Sequence, residues 1–195
     1  MSEKLHIIVI VGPTGAGKTT VATYLQNYSQ VSRVVTHTTR APRQGEKNQE
    51  DYYFENPTGF YQHHFLEQVT YAGNAYGSSV EGVVQAWQQA PIAVIVLDHN
   101  GAQAYLAYFG RERCHIWFVT VSDPNQLIKR LQARGDGDKV VQQRLATIDL
   151  QREYLLPRQL ATVATVLLND DWHTLVTQID KLMAVYTTSL LTSDD

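Results

Sequence analysis

Short apolar runs alternate with amphipathic patterns along this chain. Four of the runs are continuous and rich in β-branched residues, which is typical of strands buried on both faces of a parallel sheet. These runs are Leu5–Val11, Ile92–Leu97, His115–Val121 and Val163–Leu168, and Val34–Thr38 is a fifth candidate. Apolar positions at helical spacing predict helices over Thr19–Tyr28, Pro124–Arg134, Val140–Leu155 and Asp171–Val185. Strands that alternate with helices predict an α/β fold in which helices flank a parallel sheet.

The segment from Arg40 to Gly82 interrupts this alternation. It is polar, rich in Tyr and Gly, and contains no long periodic stretch. We interpret it as an insertion of short strands and loops that builds a binding site. The predicted organisation is one domain over residues 1–195, with a core formed by 1–34, 83–125 and 156–190, a small mixed α/β insertion at 35–82 and a helical lid at 126–155.

Composition narrows the classes of partner. A length of 195 residues, 44% of them hydrophobic, is enough for one domain with a substantial core. The net charge of −3 gives no global reason to bind nucleic acid or an anionic membrane, and we expect neither as a partner. The charge is uneven, since seven basic and four acidic residues lie between Lys129 and Arg158.

Cysteine content and hydropathy bear on where in the cell the protein is expected. The single cysteine, Cys114, has no partner for an internal disulfide and is expected to be a small buried hydrophobic residue. No apolar run approaches the roughly eighteen residues of a membrane span, and the first residues do not resemble a signal peptide. We therefore expect a cytoplasmic protein, and its oligomeric state stays open.

A phosphate-binding loop follows the first predicted strand. Residues 12–19 fit the pattern G-x-x-x-x-G-K-[ST] in full, directly before a predicted helix. Glycines let backbone amides turn towards phosphate oxygens, the helix N-terminus faces the same anion, and Lys18 adds a positive charge. ATP or GTP binding is therefore expected. The residues predicted to bind ATP are Gly12, Pro13, Thr14, Gly15, Ala16, Gly17, Lys18, Thr19 and Thr20.

Further motifs follow in a fixed order. They are Thr38-Thr39-Arg40-Ala41-Pro42-Arg43, Gly45-Glu46, Asp51-Tyr52-Tyr53-Phe54, Phe65-Leu66-Glu67, Gly73-Asn74-Ala75-Tyr76-Gly77-Ser78, Asp98-His99-Asn100-Gly101-Ala102, Arg130-Leu131-Gln132-Ala133-Arg134-Gly135 and Asn169-Asp170-Asp171. This order and spacing resemble the guanylate kinase family of P-loop nucleoside monophosphate kinases. The resemblance runs from about Ile7 to Ile179 and covers nearly the whole chain.

The resemblance implies transfer of the ATP γ-phosphoryl group to GMP or dGMP. It implies that the GMP phosphate is held by Arg40, Arg43, Tyr52 and Tyr76. It also implies that the guanine base is surrounded by Thr36, Glu67, Ser78 and Asp98. Asn169 is implied to belong to the ATP site. The chemistry agrees, because guanine presents N1–H and N2–H₂ donors that suit carboxylates and an O6 acceptor that suits a hydroxyl. Adenine would leave the carboxylates facing an acceptor, at a cost of about 2–5 kcal/mol.

Phosphoryl transfer between two polyanions needs charge neutralisation more than a general base, since the attacking phosphate oxygen is largely ionised at neutral pH. Mg²⁺ would accompany ATP, with Thr19 as its protein ligand. Arg130 and Arg134 are four residues apart on one helical face, and Arg144 lies on the next predicted helix, so we expect a lid that closes over the nucleotides. The predicted catalytic residues are Lys18, Arg40, Arg43, Arg130, Arg134 and Arg144.

Four positions depart from the family pattern and bear on the true acceptor. Val96 stands where an acidic residue is common, Gln68 where Trp is common and Ala75 where Tyr is common, and His37 is expected beside the acceptor phosphate, where small residues are common. Among the histidines, His63 and His64 are adjacent and are interpreted as surface or rim residues, and no Cys or paired His stands at zinc-ligand spacing.

Two alternative functions remain open. One is a guanylate-kinase-like ribose 1,5-bisphosphokinase, which would not need the base-reading residues Glu67, Ser78 and Asp98. The other is a non-catalytic guanylate-kinase-like binding module, which would not need the phosphate loop that is complete here.

Overall fold

The predicted α/β class is confirmed in the computed structural model, which describes residues 5–71, 73–133 and 154–191. Its main sheet has five parallel strands: β1 (His6–Val11), β2 (Val31–Arg33), β7 (Ile92–Val96), β8 (Cys114–Thr120) and β9 (Ala164–Leu168). Their order is β2-β7-β1-β8-β9, with Ile8 opposite Val94 on one side and Val9 opposite Ile116 on the other. The continuous apolar run of β1 follows from this central place, because every one of its residues is buried.

Helices cover both faces of this sheet. They are α1 (Lys18–Leu25), α3 (Val80–Gln89), α4 (His99–Phe109), α5 (Asn125–Ala133), α6 (Arg158–Ala161) and α7 (Trp172–Leu191). Alternate residues of β1 point to opposite faces of the sheet, and on one face Ile8 packs with residues of α1, α5 and α7. Val9 packs on the other side with residues of α3, α4 and α6. Cys114 lies in this second layer and is buried, as expected.

A second, smaller sheet contains β3 (Thr36–Thr38), β4 (Tyr52–Phe54), β5 (Phe65–Tyr71) and β6 (Asn74–Ser79), and the short helix α2 (Pro57–Phe60) joins β4 to β5. Its order is β4-β3-β6-β5. Strand β3 is parallel to β4 and antiparallel to β6. The polar segment therefore consists of short strands and loops, as the sequence predicted, while its separate functional role stays a prediction.

One predicted strand is wrong. Val34–Thr38 was expected to be a single strand, but it spans the junction between the two sheets. The fifth strand of the main sheet is Val31–Arg33, and the backbone N–H of Val34 still donates to the carbonyl of Val94 at 2.9 Å. The chain then leaves this sheet, and Thr36–Thr38 begins the small one. The predicted helix at Val140–Leu155 lies almost wholly outside the described residues.

Helix α5 confirms the amphipathic pattern seen in the sequence, because Leu127 and Leu131 are fully buried. Helices α3 and α4 had not been predicted. Within the described ranges, no helix combines the length and the apolar character that a membrane crossing requires.

Candidate active site

The phosphate-binding loop lies between β1 and α1, at the carboxyl edge of the main sheet. Gly12, Gly15 and Gly17 have φ angles of 139°, 86° and 97°, a region that favours glycine. A Cβ atom on Gly12 would overlap the carbonyl oxygen of Val119. Gly17 occupies the N-cap of α1, and no side chain caps that helix end. The first N–H groups and the positive end of the helix dipole are therefore directed at the loop, as anion binding requires.

Lys18 reaches back over this loop. Its Nζ atom donates to the carbonyl oxygens of Gly12 at 2.6 Å and of Pro13 at 3.0 Å. Thr19 is exposed on the first turn of α1 and lines a cavity of about 260 Å³ together with Thr36, Tyr52 and Val96. The ammonium group of Lys18 and the hydroxyl group of Thr19 therefore lie beside the loop that would hold a phosphate. Thr20, also predicted to bind ATP, is exposed on the same turn.

Asn169 contacts the loop from the end of β9. Its side-chain amide donates to the carbonyl oxygen of Ala16 at 2.7 Å, and its backbone N–H donates to the carbonyl oxygen of Thr120 at 2.7 Å. A Cβ on Gly17 would collide with the same amide nitrogen. The residue is only 7% exposed. In this arrangement Asn169 braces the loop, while its predicted contact with ATP stays a prediction.

Arg130 contacts Asn169, next to the phosphate loop. Its Nη2 atom donates to the carbonyl oxygen of Asn169 at 2.6 Å, so the guanidinium lies beside the end of β9. Arg134 and Arg144, the other two predicted lid arginines, lie outside the described residues. The described part of the predicted lid consists of residues 126–133 of helix α5, whose apolar side belongs to the core, and residues 154–155.

A cleft of about 640 Å³ separates the phosphate loop from the small sheet. It is lined by residues from positions 12 to 100, far apart in sequence. Eight of them were predicted from the sequence: Gly12, Thr14, Lys18, Thr36, Tyr52, Glu67, Tyr76 and Asp98. His99 and Asn100, at the start of α4, also line it and were missed. The structure therefore places these eight predicted residues, from both the donor and the acceptor set, around one cleft, whereas Arg40, Arg43 and Ser78 are not among its lining residues.

Arg40 lies against the aromatic residues of the small sheet. Its guanidinium carbon is 5.6 Å from the ring centre of Tyr52 and 5.7 Å from that of Phe54. The Nη2 atom donates to Glu46 Oε1 at 2.8 Å, and the other carboxylate oxygen of Glu46 accepts from the backbone N–H of Arg43 at 2.7 Å. These bonds lower the pKa of Glu46. Glu46 thus links the two arginines of the motif, a role that the sequence pattern did not reveal.

Arg43 itself differs from Arg40 in its surroundings. Its side chain is exposed, whereas Arg40 is partly buried. The ring of Tyr76 lies 6.2 Å from that of Tyr52, edge to face, on the same side of the small sheet. A cation and two phenols are therefore clustered where the sequence predicted a phosphate.

Two carboxylates, those of Glu67 and Asp98, also line the cleft. Glu67 lies on β5 beside Ser78 on β6, and the buried Ser78 hydroxyl donates to Glu67 Oε1 at 3.0 Å. Burial raises the pKa of Glu67, and the nearby charge of Asp98 adds to this effect. Asp98 caps helix α4 by accepting from the N–H of Gly101 at 2.8 Å. The site thus presents hydrogen-bond acceptors, which suit a ligand rich in N–H groups.

The expected position of His37 is wrong. The residue lies on β3 between two threonines, and Thr36 faces the cleft, so the alternation of a strand turns His37 to the other face of the small sheet. There the residue is buried, and its ring contacts Glu55 and stacks on Tyr53 with ring centres 4.8 Å apart. Burial lowers the pKa of His37. It therefore does not line the cleft in which the acceptor phosphate was expected.

The other three departures from the family pattern have different surroundings. Val96 lines the cleft at the end of β7, so an apolar side chain stands there. Ala75 is buried, and its carbonyl accepts from the Thr38 hydroxyl at 3.0 Å. Gln68 is exposed on β5. Of the four departures, only Val96 changes the lining of the cleft.

Comparisons with known proteins agree with this geometry. The family profile described as guanylate kinase matches residues 4–186. A guanylate kinase of Trichormus variabilis is 37% identical over 153 residues, which cover 74% of this chain and 76% of the relative. A guanylate kinase of Dechloromonas aromatica is 31% identical over 186 residues, or 92% of this chain and 87% of the relative.

A solved structure shows the same fold. The crystal structure of guanylate kinase from Anaplasma phagocytophilum aligns with a TM-score of 0.61 at 21% identity, covering 99% of this chain and 90% of that one. The parallel sheet and the complete phosphate loop define a P-loop nucleotide-binding protein. Within that class, the chain belongs to the guanylate kinase family, and the resemblance seen in its sequence is confirmed.

Proposed function

We propose that this protein transfers the γ-phosphoryl group of MgATP to GMP or dGMP, giving ADP and GDP or dGDP. The observation that carries the proposal is one cleft that is lined by the phosphate loop, two carboxylates and two tyrosines, with Arg40 packed against one of these tyrosines. Family membership supports the same reaction. The donor and acceptor would meet between the two sheets.

The donor side would bind the triphosphate of ATP. Backbone amides of the loop and the N-terminus of α1 hold phosphate oxygens, and Lys18 exchanges its contacts with Gly12 and Pro13 for the phosphates. The exposed hydroxyl of Thr19 fits a Mg²⁺ that also takes oxygen ligands from phosphates and water. When bound, Mg²⁺ neutralises charge on the transferred group. Val96 offers no carboxylate for that ion or its water.

The acceptor side would bind GMP at both ends. Arg40, Arg43, Tyr52 and Tyr76 are proposed to hold its phosphate, and Thr36, Glu67, Ser78 and Asp98 to surround its base. Glu67 in its ionised form accepts from guanine N–H groups, and adenine, which lacks the N1–H and the 2-amino group, would leave that partly buried carboxylate unpaired. The resulting preference for GMP over AMP is about 2–5 kcal/mol.

The chemical step then needs alignment and charge neutralisation. An oxygen of the GMP phosphate attacks the γ-phosphorus in line, the bond from that phosphorus to the β–γ bridging oxygen breaks, and ADP leaves. Lys18 brings positive charge into the cleft, and Arg40 brings it beside the cleft-lining Tyr52. We propose Arg130, Arg134 and Arg144 as the cations that act on the transferred group from the lid. A cytoplasmic location suits the ATP requirement and the free thiol of Cys114, and it stays a prediction.

The test is ADP release from MgATP in the presence of GMP, dGMP, AMP, UMP or ribose 1,5-bisphosphate. We expect turnover with GMP and dGMP, and Lys18→Ala should reduce it by about 100-fold or more because a cation on the phosphates is lost. Turnover only with ribose 1,5-bisphosphate would favour the sugar-phosphate kinase. Nucleotide binding without turnover on any acceptor would favour the binding module and contradict the proposal.

A further inference from the structure

Three side chains with metal-ligand atoms meet on the face of the small sheet that points away from the cleft. They are His37 on β3, Glu55 just after β4 and His63 just after α2, and their ligand atoms all lie within 4.8 Å of one another. Glu55 contacts His37 Nδ1 with one carboxylate oxygen and His63 Nε2 with the other, the latter at 2.8 Å. The three ligands are separated by 17 and 7 residues, so no sequence motif indicates them.

The cluster is sheltered but can be reached from one side. The side chain of His37 is 4% exposed, while Glu55 and His63 are 19% and 29% exposed. All three line a cavity of about 330 Å³, which Glu81 also borders. An ion could therefore enter from this cavity, and a water molecule could occupy a remaining coordination position.

The buried histidine is oriented by a second contact. Its Nε2 atom lies 2.8 Å from the hydroxyl oxygen of Ser79, and that oxygen also accepts from the N–H of Gly82 at the start of α3. When Nε2–H donates to Ser79, the lone pair on Nδ1 points at Glu55. A lone pair facing a carboxylate is repulsive unless a proton or a metal ion lies between them. Orientation of a ligating histidine through its other ring nitrogen is common in metal sites.

We propose that His37 Nδ1, a carboxylate oxygen of Glu55 and His63 Nε2 bind one Zn²⁺, with water as the fourth ligand. Two imidazole nitrogens and one carboxylate oxygen form a donor set that suits Zn²⁺ and not Mg²⁺, which prefers oxygen ligands. The ion would join β3, the end of β4 and the segment after α2 behind the proposed acceptor face. This site is separate from the phosphate loop and does not depend on the proposed kinase activity.

Zinc binding is measured on the full chain after treatment with a chelator and dialysis. Titration calorimetry with a competing chelator should give one Zn²⁺ per chain. At a free Zn²⁺ concentration about 100 times Kd, the Tm should rise by about 5–10 °C. Replacing Zn²⁺ with Co²⁺ should give the intense visible bands of a tetrahedral ion. A large excess of Mg²⁺ should not displace either metal.

Two variants and one matched control locate the site. His63→Gln and Glu55→Gln should each weaken Zn²⁺ binding by at least about 10–100-fold and remove the Co²⁺ bands. His64→Gln changes the adjacent residue, which is 84% exposed and contacts Glu81 instead, and should bind Zn²⁺ like the parent chain. Circular dichroism of each metal-free variant checks that it is folded.

Several results would overturn the proposal. The parent chain could show no saturable Zn²⁺ binding, in which case the cluster is a hydrogen-bonded triad only. His63→Gln could bind as tightly as the parent chain, or His64→Gln could lose binding to the same extent, and either result would place the ion elsewhere. Displacement by Mg²⁺ would likewise assign the ion to an oxygen-rich site.

Discussion

The contact between Asn169 and the phosphate loop allows a direct test of what this residue does. Asn169→Ala removes the amide that donates to the carbonyl oxygen of Ala16 at 2.7 Å. Ala16 is fully buried, so water does not readily replace the lost donor. The loop would keep its glycines but lose its brace from β9.

The size of the effect follows from that burial. Leaving a buried acceptor without its donor costs about 1–3 kcal/mol. In a chain of this size each kcal/mol lowers Tm by about 2–4 °C, so we expect a decrease of about 2–12 °C. The KM for MgATP should rise because the loop amides lose their fixed geometry, while the KM for GMP should change little.

Thermal unfolding and steady-state kinetics measure the two effects separately. Asn169→Asp is the matched control, since it keeps the size of the side chain but not the N–H donor, and it should lower Tm at least as much as Asn169→Ala. An unchanged Tm in both variants together with a raised KM for MgATP would refute the bracing role and make Asn169 a direct ligand of ATP.

Three further predictions concern the cleft and the loop. Glu67→Gln should raise KM for GMP far more than KM for MgATP. Burial raises the pKa of Glu67, and only the ionised carboxylate accepts from both guanine donors, so KM for GMP in the parent chain should fall as pH rises through that pKa. The variant should not show this fall, and pH profiles of KM for both proteins will test it. Glu46→Gln should raise KM for GMP by about 3–10-fold because Arg40 loses its charged partner. Glu50 is exposed, so Glu50→Gln is the control and should leave the kinetics unchanged. Equal kinetics in the two variants would contradict the prediction. Gly17→Ala should lower Tm both through its φ of 97° and through its collision with Asn169. Combining it with Asn169→Ala removes the collision, so the double change should cost less than the two single changes added, and strict additivity in the thermal unfolding cycle would exclude the collision.

Much of the candidate site could be predicted because its key part is contiguous. In the loop, a run of eight residues determines both the backbone path and the chemistry, so Gly12 and Lys18 lie where the motif implies. The acceptor residues could be placed only through the resemblance, and the structure brings Thr36, Glu67 and Asp98 to the same cleft. Their contacts with nucleotides stay predictions.

Other features depend on tertiary structure that a sequence pattern does not encode. Alternation along a strand shows that Thr36 and His37 face opposite sides, but it does not show which side is the cleft. The Val34–Thr38 run is apolar enough for one strand, yet the chain changes sheets within it. Glu46 acts through a contact with Arg40 whose geometry depends on the turn between them.

The contact between Asn169 and the phosphate loop also affects when, during synthesis, the protein can bind ATP with full affinity. The bond to Ala16 spans 153 residues, and Asn169 follows the last strand of the main sheet. Chains grow at about 5–20 residues per second, so the loop exists for roughly 8–30 s before its brace is made. A nascent chain therefore has the phosphate loop without the contact from β9, and full affinity for ATP is expected only once the domain is nearly finished.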